Sequence, residues 1–179
     1  MKICIDAGHG GSDPGAIGTD PFRLTEKESN LHLAVHLERE LENRGHWVVM
    51  TRRQDRTLSL SARAAFANRL EAEFFVSIHA NAASSAAAEG MEVYHFPAST
   101  RGGAAAASIL GAMLGAFPGH RNRGIKEANF AVLRLTAMPA VLVECEFLTN
   151  PDQLRFLADP DQQQALAAAI AGGVPDSFA

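Results

Sequence analysis

Short apolar segments alternate with helix-forming segments along the whole of this chain. The apolar segments have the length and β-branched content of buried strands, and the stretches between them carry apolar residues at helical spacing. The predicted strands are "KICIDA", "HWVVMT", "FFVSIHA", "GMEVYHF" and "AVLVECE", and the short stretch "FAVLRL" is a sixth candidate. This alternation predicts an α/β fold, a single three-layer domain with a mostly parallel, twisted central sheet and helices on both faces.

Capping signals mark where the predicted helices begin and end. A helix over residues 28–44 ends before Gly45, and Ser59 can cap a second helix through "LSARAAFANRLEA". A third helix is expected over residues 102–116, which are rich in small residues. Two further helices begin at Asn150-Pro151 and at Asp159-Pro160, where an N-cap precedes a first-turn proline. We therefore expect one domain over 1–179, with a motif-bearing core over 2–150, C-terminal helices over 151–173 and a short tail over 174–179.

Composition and charge exclude several classes of function. The chain has 179 residues, of which 47% are hydrophobic and 20% charged, values typical of a globular domain. The 16 Lys and Arg residues against 20 Asp and Glu residues give a net charge of -4, so no basic surface for nucleic acid is expected. No apolar run reaches the roughly 18 residues that a transmembrane helix needs. We expect no signal peptide either, because Met1 and Lys2 lead into a polar loop by Asp6.

Three titratable residues are expected at one edge of the predicted sheet. His9 follows the first strand directly, His79 ends the third, and Glu144 lies late in "AVLVECE". The carboxyl ends of parallel strands meet at the same edge, which is where such folds collect their chemistry. The sequence therefore predicts a functional site at this edge.

The glycine-rich loop "CIDAGHGGSDPGAIG" invites a phosphate-binding interpretation, which its details oppose. A P-loop requires a lysine after its glycines, and none follows here. A dinucleotide fingerprint requires its glycines to open a helix, yet Pro14 and Pro21 keep this segment irregular. The alternative is a loop whose glycines allow the backbone to fold tightly around His9.

His9, Glu26 and His79 would together form the ligand set of a catalytic zinc site with one open position. Taken singly, His79 is also compatible with a core histidine, and Glu26 with an ordinary acid in a first helical turn. Such a site also needs a carboxylate to move a proton, for which Glu144 and Glu146 compete because they point to the same side of an extended strand. The local pattern favours Glu144, and a buried structural ion pair remains the alternative.

Other titratable residues are interpreted more simply. His32 and His36 stand four apart on the first predicted helix, opposite its leucine stripe, and are expected to be exposed to solvent rather than to bind metal. Three remaining histidines show no partner pattern: His46, His95 and His120. Three acids could hydrogen-bond a ligand histidine, and the sequence does not choose among them: Asp6, Asp13 and Asp55. Both cysteines lie in predicted strands and are expected to be buried free thiols: Cys4 and Cys145.

With these residues placed, the chain resembles the catalytic domain of the zinc-dependent N-acetylmuramoyl-L-alanine amidases of bacterial cell separation, sporulation and phage lysis. The resemblance rests on an ordered set of motifs from residue 3 to residue 150: "IDAGHGGSDPGAIG", "EKESNL", "TR" with a following "D", "LSARAAFAN", "FVSIHAN", "NFAVLR" and "MPAVLVECEFLTN". Single pieces such as "GHGG" are weakly specific, whereas the ordered set is very specific.

The resemblance implies one Zn²⁺ held by His9, Glu26 and His79, with Glu144 as the catalytic glutamate. It implies hydrolysis of the amide between the lactyl group of N-acetylmuramic acid and the L-alanine of the stem peptide, in peptidoglycan or a muropeptide. Zinc would activate a water for attack on the lactyl carbonyl, and Glu144 would handle its proton. The family works in the cell envelope, in the periplasm or outside the cell, and we expect a monomer with a targeting or activator protein as its partner.

Two alternatives and one departure from the family accompany this expectation. The same zinc machinery could serve a peptidase that cuts within the stem peptide, and a peptidoglycan-binding module without catalysis is the alternative from another class. Some family members carry an inserted helix that plugs the site after the "SIHAN" strand pair. Here only residues 97–103 separate "MEVYHF" from the next helix, so we expect no self-inhibition of that kind.

Overall fold

The computed structural model describes residues 1–178, and a six-stranded sheet runs through the centre of the molecule. The strands are β1 (Lys2–Ala7), β2 (Ile17–Gly18), β3 (Leu24–Thr25), β4 (Trp47–Met50), β5 (Phe74–Asn81), β6 (Met91–His95), β7 (Asn122–Glu127) and β8 (Ala140–Phe147). The order across the sheet is β4-β1-β5-β8-β6-β7, and β2 pairs with β3 in a separate antiparallel hairpin. Strands β4, β1, β5 and β8 are mutually parallel, whereas β6 is antiparallel to β8, so the prediction of a mostly parallel sheet is confirmed.

Helices cover both faces of this sheet. They are α1 (Glu26–Asn43), α2 (Leu60–Arg69), α3 (Thr100–Ala116), α4 (Ala131–Arg134), α5 (Pro151–Ala158) and α6 (Pro160–Gly173). The apolar sides of α1, α3, α5 and α6 share one hydrophobic core with the sheet, and α2 and α4 pack in a smaller core on the other face. The predicted three-layer arrangement is therefore confirmed.

The predicted helix caps at Ser59, Asn150 and Asp159 are confirmed. Each side chain accepts a hydrogen bond from a backbone N–H group in the first turn of its helix. Caps of this kind contribute about 1 kcal/mol each to stability. At the start of α1, Thr25 and Glu28 form a capping box, which fixes the point where the chain enters the helix.

The structure differs from the sequence-based expectation in three elements. The stretch "FAVLRL" is a short helix, α4, and its prediction as a strand was wrong because its apolar residues face α2 and the sheet at helical spacing. The edge strand β7, "NRGIKE", was not predicted because a partly exposed edge strand carries no apolar alternation. The β2–β3 hairpin was too short to detect.

The central strands are buried on both faces, which explains their continuous apolar runs. Ile3, Cys4 and Ile5 of β1 are completely buried, and burying one large apolar side chain contributes about 1.5–3 kcal/mol. Cys4 and Cys145 are buried free thiols, as predicted. Among residues 1–178, no helix combines the length and the apolar character required to cross a bilayer.

Candidate metal centre

Three side chains from different elements meet at the carboxyl ends of β1 and β5. His9 lies in the loop directly after β1, Glu26 is the first residue of α1, and His79 lies near the end of β5. One ligand atom from each of these residues lies within 4.8 Å of the others. The structure thus brings together the three residues that the sequence placed in one site.

Glu26 is the centre of this group. Its Oε1 atom lies 2.8 Å from Nδ1 of His79 and accepts a hydrogen bond from the backbone N–H of Ala80. Its Oε2 atom lies 3.1 Å from Nε2 of His9 and accepts a hydrogen bond from the backbone N–H of Ala16. The carboxylate is 5% exposed, so burial and the two backbone donors fix its orientation between the imidazoles.

Of the three candidate acids, Asp13 is the one that hydrogen-bonds His9, a candidate metal ligand. Its Oδ2 atom lies 2.8 Å from Nδ1 of His9, which directs Nε2 of the same ring toward Glu26. The other two candidate acids have different partners. Asp6 is buried against Thr51, Arg63 and Ser77, and Asp55 accepts from Lys27 and from the backbone of Gly11.

Two glycines make room for the ligands. A Cβ atom on Gly8 would lie 2.4 Å from the ring of His79, and one on Gly15 would lie 2.5 Å from Oε2 of Glu26. Gly15 also has a φ of +65°, which side chains rarely tolerate. His9 itself has a φ of 61°, an uncommon backbone conformation that local contacts must stabilise. The glycine-rich loop therefore packs closely around the three candidate ligands.

Two buried arginines, whose role the sequence did not reveal, stabilise the backbone of this loop. Arg52 donates to the carbonyls of Gly8 and Lys27, and so ties the His9 loop to the first turn of α1. Arg63 donates to the carboxylate of Asp6 and to the carbonyls of Ala7 and His9. The two arginines lie in the "TR" and "LSARAAFAN" motifs, and membership of these motifs is the one sign of their importance in the sequence. Their burial was not expected, because arginine is normally found at the surface.

The electrostatics of the three ligands favour positive charge between them. Burial alone would lower the pKa of His9, but the carboxylates of Glu26 and Asp13 outweigh it and raise this pKa to about 9. Burial opposes the shift at Glu26 too, yet the two imidazoles hold the pKa of its carboxyl well below its usual range. The pKa of His79 is raised against its burial, chiefly by its hydrogen bond to Glu26. The carboxylate of Glu26 therefore stabilises positive charge at both imidazoles.

Glu144 lies on β8 directly opposite His79 on β5. The two residues line a largely apolar pocket of about 240 Å³ with Leu60, Phe130, Ala131, Val132 and Leu142. Burial raises the pKa of Glu144 to about 7, and its Oε2 atom is buried without a hydrogen-bond partner. Burying a carboxylate oxygen without a hydrogen-bond partner costs free energy of folding. Such an oxygen therefore indicates a group that binds a ligand or takes part in a reaction.

Glu146 does not reach this pocket, and the expectation that it shares one side of the strand with Glu144 was wrong. The register between β5 and β8 shifts after the His79–Glu144 pair, so an extra residue on β8 interrupts the alternation. Glu146 is completely buried elsewhere, where it accepts from the backbone N–H of Gly90 and lies 2.8 Å from Nδ1 of His120. Glu146 is therefore held in a buried, hydrogen-bonded position away from the pocket.

The remaining histidines lie outside the site. His32 on α1 is exposed, as predicted, whereas His36 on the same helix is half-buried. His46 lies near the amino terminus, and His95 is buried beside the carbonyl of Phe96. Within residues 1–178, His9, Glu26 and His79 are the group whose geometry could hold a metal ion.

The residues present fit a zinc ion. Two imidazoles and one carboxylate are the protein ligands of a catalytic zinc site, in which a fourth position is left for water or substrate. The converging donor atoms and the unpartnered Oε2 of Glu144 in the adjoining pocket are the structural observations behind this fit. Asp13 supplies the outer hydrogen bond that ligand histidines typically make.

Comparison with known proteins indicates one family of enzymes. A family model described as N-acetylmuramoyl-L-alanine amidase matches residues 3–176. The chain is 38% identical over 178 residues to the uncharacterized protein YqiI of Bacillus subtilis, covering 98% of this chain and 84% of that protein. It is 36% identical over 176 residues to the probable cell wall amidase LytH of Staphylococcus aureus, covering 98% of this chain but 58% of the length of LytH.

Solved structures of similar proteins share the whole fold. The amidase AmiC2 of Nostoc punctiforme superimposes with a TM-score of 0.90 at 36% identity, over 97% of this chain and 94% of that one. An N-acetylmuramoyl-L-alanine amidase from Clostridium difficile 630 gives a TM-score of 0.92 at 36% identity, over 96% and 93%. The CwlD amidase of Clostridioides difficile, solved in complex with the GerS lipoprotein, gives 0.91 at 29% identity, over 96% and 95%.

Proposed function

The chain belongs to the N-acetylmuramoyl-L-alanine amidase family, and on that premise we propose the bond it cleaves and the cofactor it uses. The bond is the amide between the lactyl group of N-acetylmuramic acid and the L-alanine of the stem peptide, and the cofactor is one Zn²⁺. The observation that carries the proposal is the convergence of His9, Glu26 and His79 within 4.8 Å, beside the buried, unpartnered carboxylate of Glu144.

His9, Glu26 and His79 would hold the ion. When bound, zinc polarises a carbonyl and makes a water molecule more acidic. Glu26 contributes one negative charge, and Asp13 orients the imidazole of His9 from the opposite side. The loop glycines and the two buried arginines keep these donors in place before substrate arrives.

Glu144 is the residue that moves the proton. Its Oε2 atom is free of hydrogen bonds and lies in the same pocket as His79, so it is available to accept a proton from the attacking water. Burial, which raises the pKa of this carboxyl, favours its protonated form, and the same oxygen can then release that proton to the departing amine of L-alanine. Glu144 thus acts first as a general base and then as a general acid.

The apolar walls of the pocket position the reacting groups. Leu60, Phe130, Val132 and Leu142 exclude water from one side of Glu144. The scissile amide is flanked by two methyl groups, one on the lactyl carbon and one on alanine, and apolar walls suit such groups. A low local dielectric also strengthens every charge interaction made during the reaction.

Digestion of purified peptidoglycan fragments, with zinc and after chelation, tests this proposal. The expected products are free lactyl carboxyl groups on muramic acid and new N-terminal alanine, formed with zinc and lost on chelation. New amino groups elsewhere in the peptide would instead indicate the peptidase. No cleavage by the zinc-loaded protein would indicate the binding module.

The same proposal leads to expectations for the cellular location, the oligomeric state and the partners of the protein. Because peptidoglycan is the substrate, the protein is expected to act in the cell envelope or outside the cell. One chain supplies all four site residues, so the site is complete without a second copy, and the proposed working form is a monomer. The lipoprotein complex of CwlD supports a targeting or activator protein as a partner here as well.

A further inference from the structure

A second acid, Glu92, lies beside Glu144 and accepts hydrogen bonds from two positively charged side chains. Glu92 on β6 pairs directly with Glu144 on β8, so their side chains are cross-strand neighbours. Glu92 is 1% exposed. Its Oε1 atom accepts from Asn81 and from the hydroxyl of Tyr94, and its Oε2 atom accepts from Nε of Arg123 and Nζ of Lys126.

Among Glu92, Arg123 and Lys126, the positive charges exceed the negative charges by one. Burial alone would raise the pKa of Glu92, but the hydrogen bonds from Lys126, Arg123 and Tyr94 outweigh it and hold this pKa below its usual range. One carboxylate therefore faces two cations. The side chains of Arg123 and Lys126 are 29% and 36% exposed, so their free N–H groups can reach a ligand in solvent.

The cluster formed by Glu92, Arg123 and Lys126 lies on the side of the site nearest to β7, the outermost strand of the sheet. Lys126 on β7 pairs with Tyr94 on β6, and Tyr94 pairs with Leu142 of the pocket on β8. Two strand spacings separate β7 from β8, which places Lys126 about 10 Å from the pocket. The ring of Tyr94 packs on Phe130, another pocket residue, so a continuous aromatic surface joins the pocket to the two cations.

On the opposite side of the site the two exposed acids are each paired with a basic group. Oδ2 of Asp13 lies 2.8 Å from Nδ1 of His9, and Oδ2 of Asp55 lies 2.7 Å from Nζ of Lys27. The excess cation beside Glu92 therefore distinguishes the side of β6 and β7 from the side of these paired acids. An elongated substrate with a charged half and an uncharged half would bind in one direction only.

The two halves of an N-acetylmuramoyl peptide differ in this way, because the sugar is neutral while the peptide carries carboxylates. An extended chain advances about 3.3–3.6 Å per residue, so a carboxylate on the second residue lies about 7–10 Å beyond the scissile amide. We propose that Arg123 and Lys126 form a subsite for this carboxylate, so that the stem peptide crosses β6 and β7 and the glycan leaves toward α2. This inference rests on the proposed function.

Two muropeptides that differ at one group test the proposal. Both have the same glycan and the same peptide, and the α-carboxyl of the second residue, a glutamate, is free in one and a carboxamide in the other. The zinc-loaded protein is expected to cleave the free acid with a kcat/KM about 5- to 10-fold higher, mainly through a lower KM. Added salt should reduce this preference, because both cations are partly exposed.

Variants identify the residues responsible. Lys126→Gln retains a hydrogen-bond donor for Glu92 but removes the charge, and should reduce the preference to about 2-fold or less. Lys126→Arg retains the positive charge and should therefore retain the preference for the free acid. Arg121→Gln removes an exposed cation just before β7, outside the Glu92 cluster, and should leave the preference unchanged.

The outcomes separate this proposal from the one on which it rests. Equal cleavage of the two muropeptides by the wild-type protein, or a preference that Lys126→Gln leaves intact, would overturn the carboxylate subsite while leaving the amidase assignment standing. Failure to cleave either muropeptide at the lactyl amide would overturn the amidase assignment, and the subsite with it. Thermal unfolding of each variant checks that an altered preference does not arise from a damaged fold.

Discussion

Asp13 and His9 form a pair in which a partly exposed carboxylate fixes the direction of a ligand imidazole. Oδ2 of Asp13 lies 2.8 Å from Nδ1 of His9, and Oδ1 of Asp13 accepts a hydrogen bond from the backbone N–H of Gly15. The carboxylate thereby holds the ring and also closes the loop around it. The pair explains why an acid stands four residues after His9 in the glycine-rich loop.

Replacing Asp13 by alanine should weaken zinc binding by about 10- to 100-fold, because the His9 ring loses the group that orients it. The dissociation constant can be measured by competition with a chromophoric chelator. Asp152→Ala provides the control, since Asp152 is an exposed acid at the start of α5. An unchanged zinc affinity in Asp13→Ala would show that the pair has no role in metal binding.

Gly15→Ala should displace the loop that surrounds the metal-binding residues. The new Cβ atom would lie 2.5 Å from Oε2 of Glu26 at a φ of +65°, so the loop must move away from the ligands. We expect zinc affinity to fall about 10-fold or more. Gly111→Ala is the matched control on the exposed side of α3, where a Cβ meets nothing within 4 Å, and it should raise stability by about 0.5–1 kcal/mol. Equal zinc affinity in the two variants would contradict this account of the loop.

The two glutamates of "VECEF" should respond to substitution in opposite ways. Glu144→Gln removes the proton acceptor, so turnover should fall by about 10²- to 10⁴-fold with one zinc still bound. Glu146→Gln replaces the buried carboxylate that accepts from Gly90 and contacts His120 by an amide with weaker hydrogen bonds, and should lower the free energy of unfolding by about 1–3 kcal/mol. Turnover per folded molecule of Glu146→Gln should remain near that of the wild type. Loss of zinc from Glu144→Gln would mean that Glu144 is a ligand and not the base.

Arg63→Met should destabilise the fold by about 3–5 kcal/mol, because it leaves the carboxylate of Asp6 buried without its cation. Arg63 is 3% exposed and also donates to the carbonyl of His9. Arg69→Met removes an exposed arginine from the last turn of the same helix and should change stability by less than about 0.5 kcal/mol. Chemical denaturation of both variants measures the difference, and comparable losses would rule out a special role for the buried pair.

Much of the fold and the placement of the ligands could be predicted because the signals are local. Alternating strands and helices specify the layers, and a parallel sheet puts His9 and His79 at one edge. Cap residues such as Asn150 and Asp159 mark helix starts through their own side chains. These features depend on neighbours in the sequence, so a single sequence reveals them.

Features that depend on partners distant in the sequence could not be predicted. The bulge that turns Glu146 away from Glu144 is visible only as a register shift between β5 and β8. Arg52 looks like a surface residue in the sequence, yet its guanidinium is buried among backbone carbonyls from β1 and α1. Glu92 and its two cations come together only because β7, a strand without apolar alternation, lies beside β6.

Zinc stoichiometry, measured by elemental analysis after equilibrium dialysis, tests the central claim most directly. The wild-type protein and His32→Ala, which alters an exposed histidine on α1, should each bind one zinc ion per chain. His79→Ala should bind substantially less than one, because two of the three ligands alone hold the ion weakly. One tightly bound zinc ion per chain in His79→Ala would show that the metal is held elsewhere and would contradict this account.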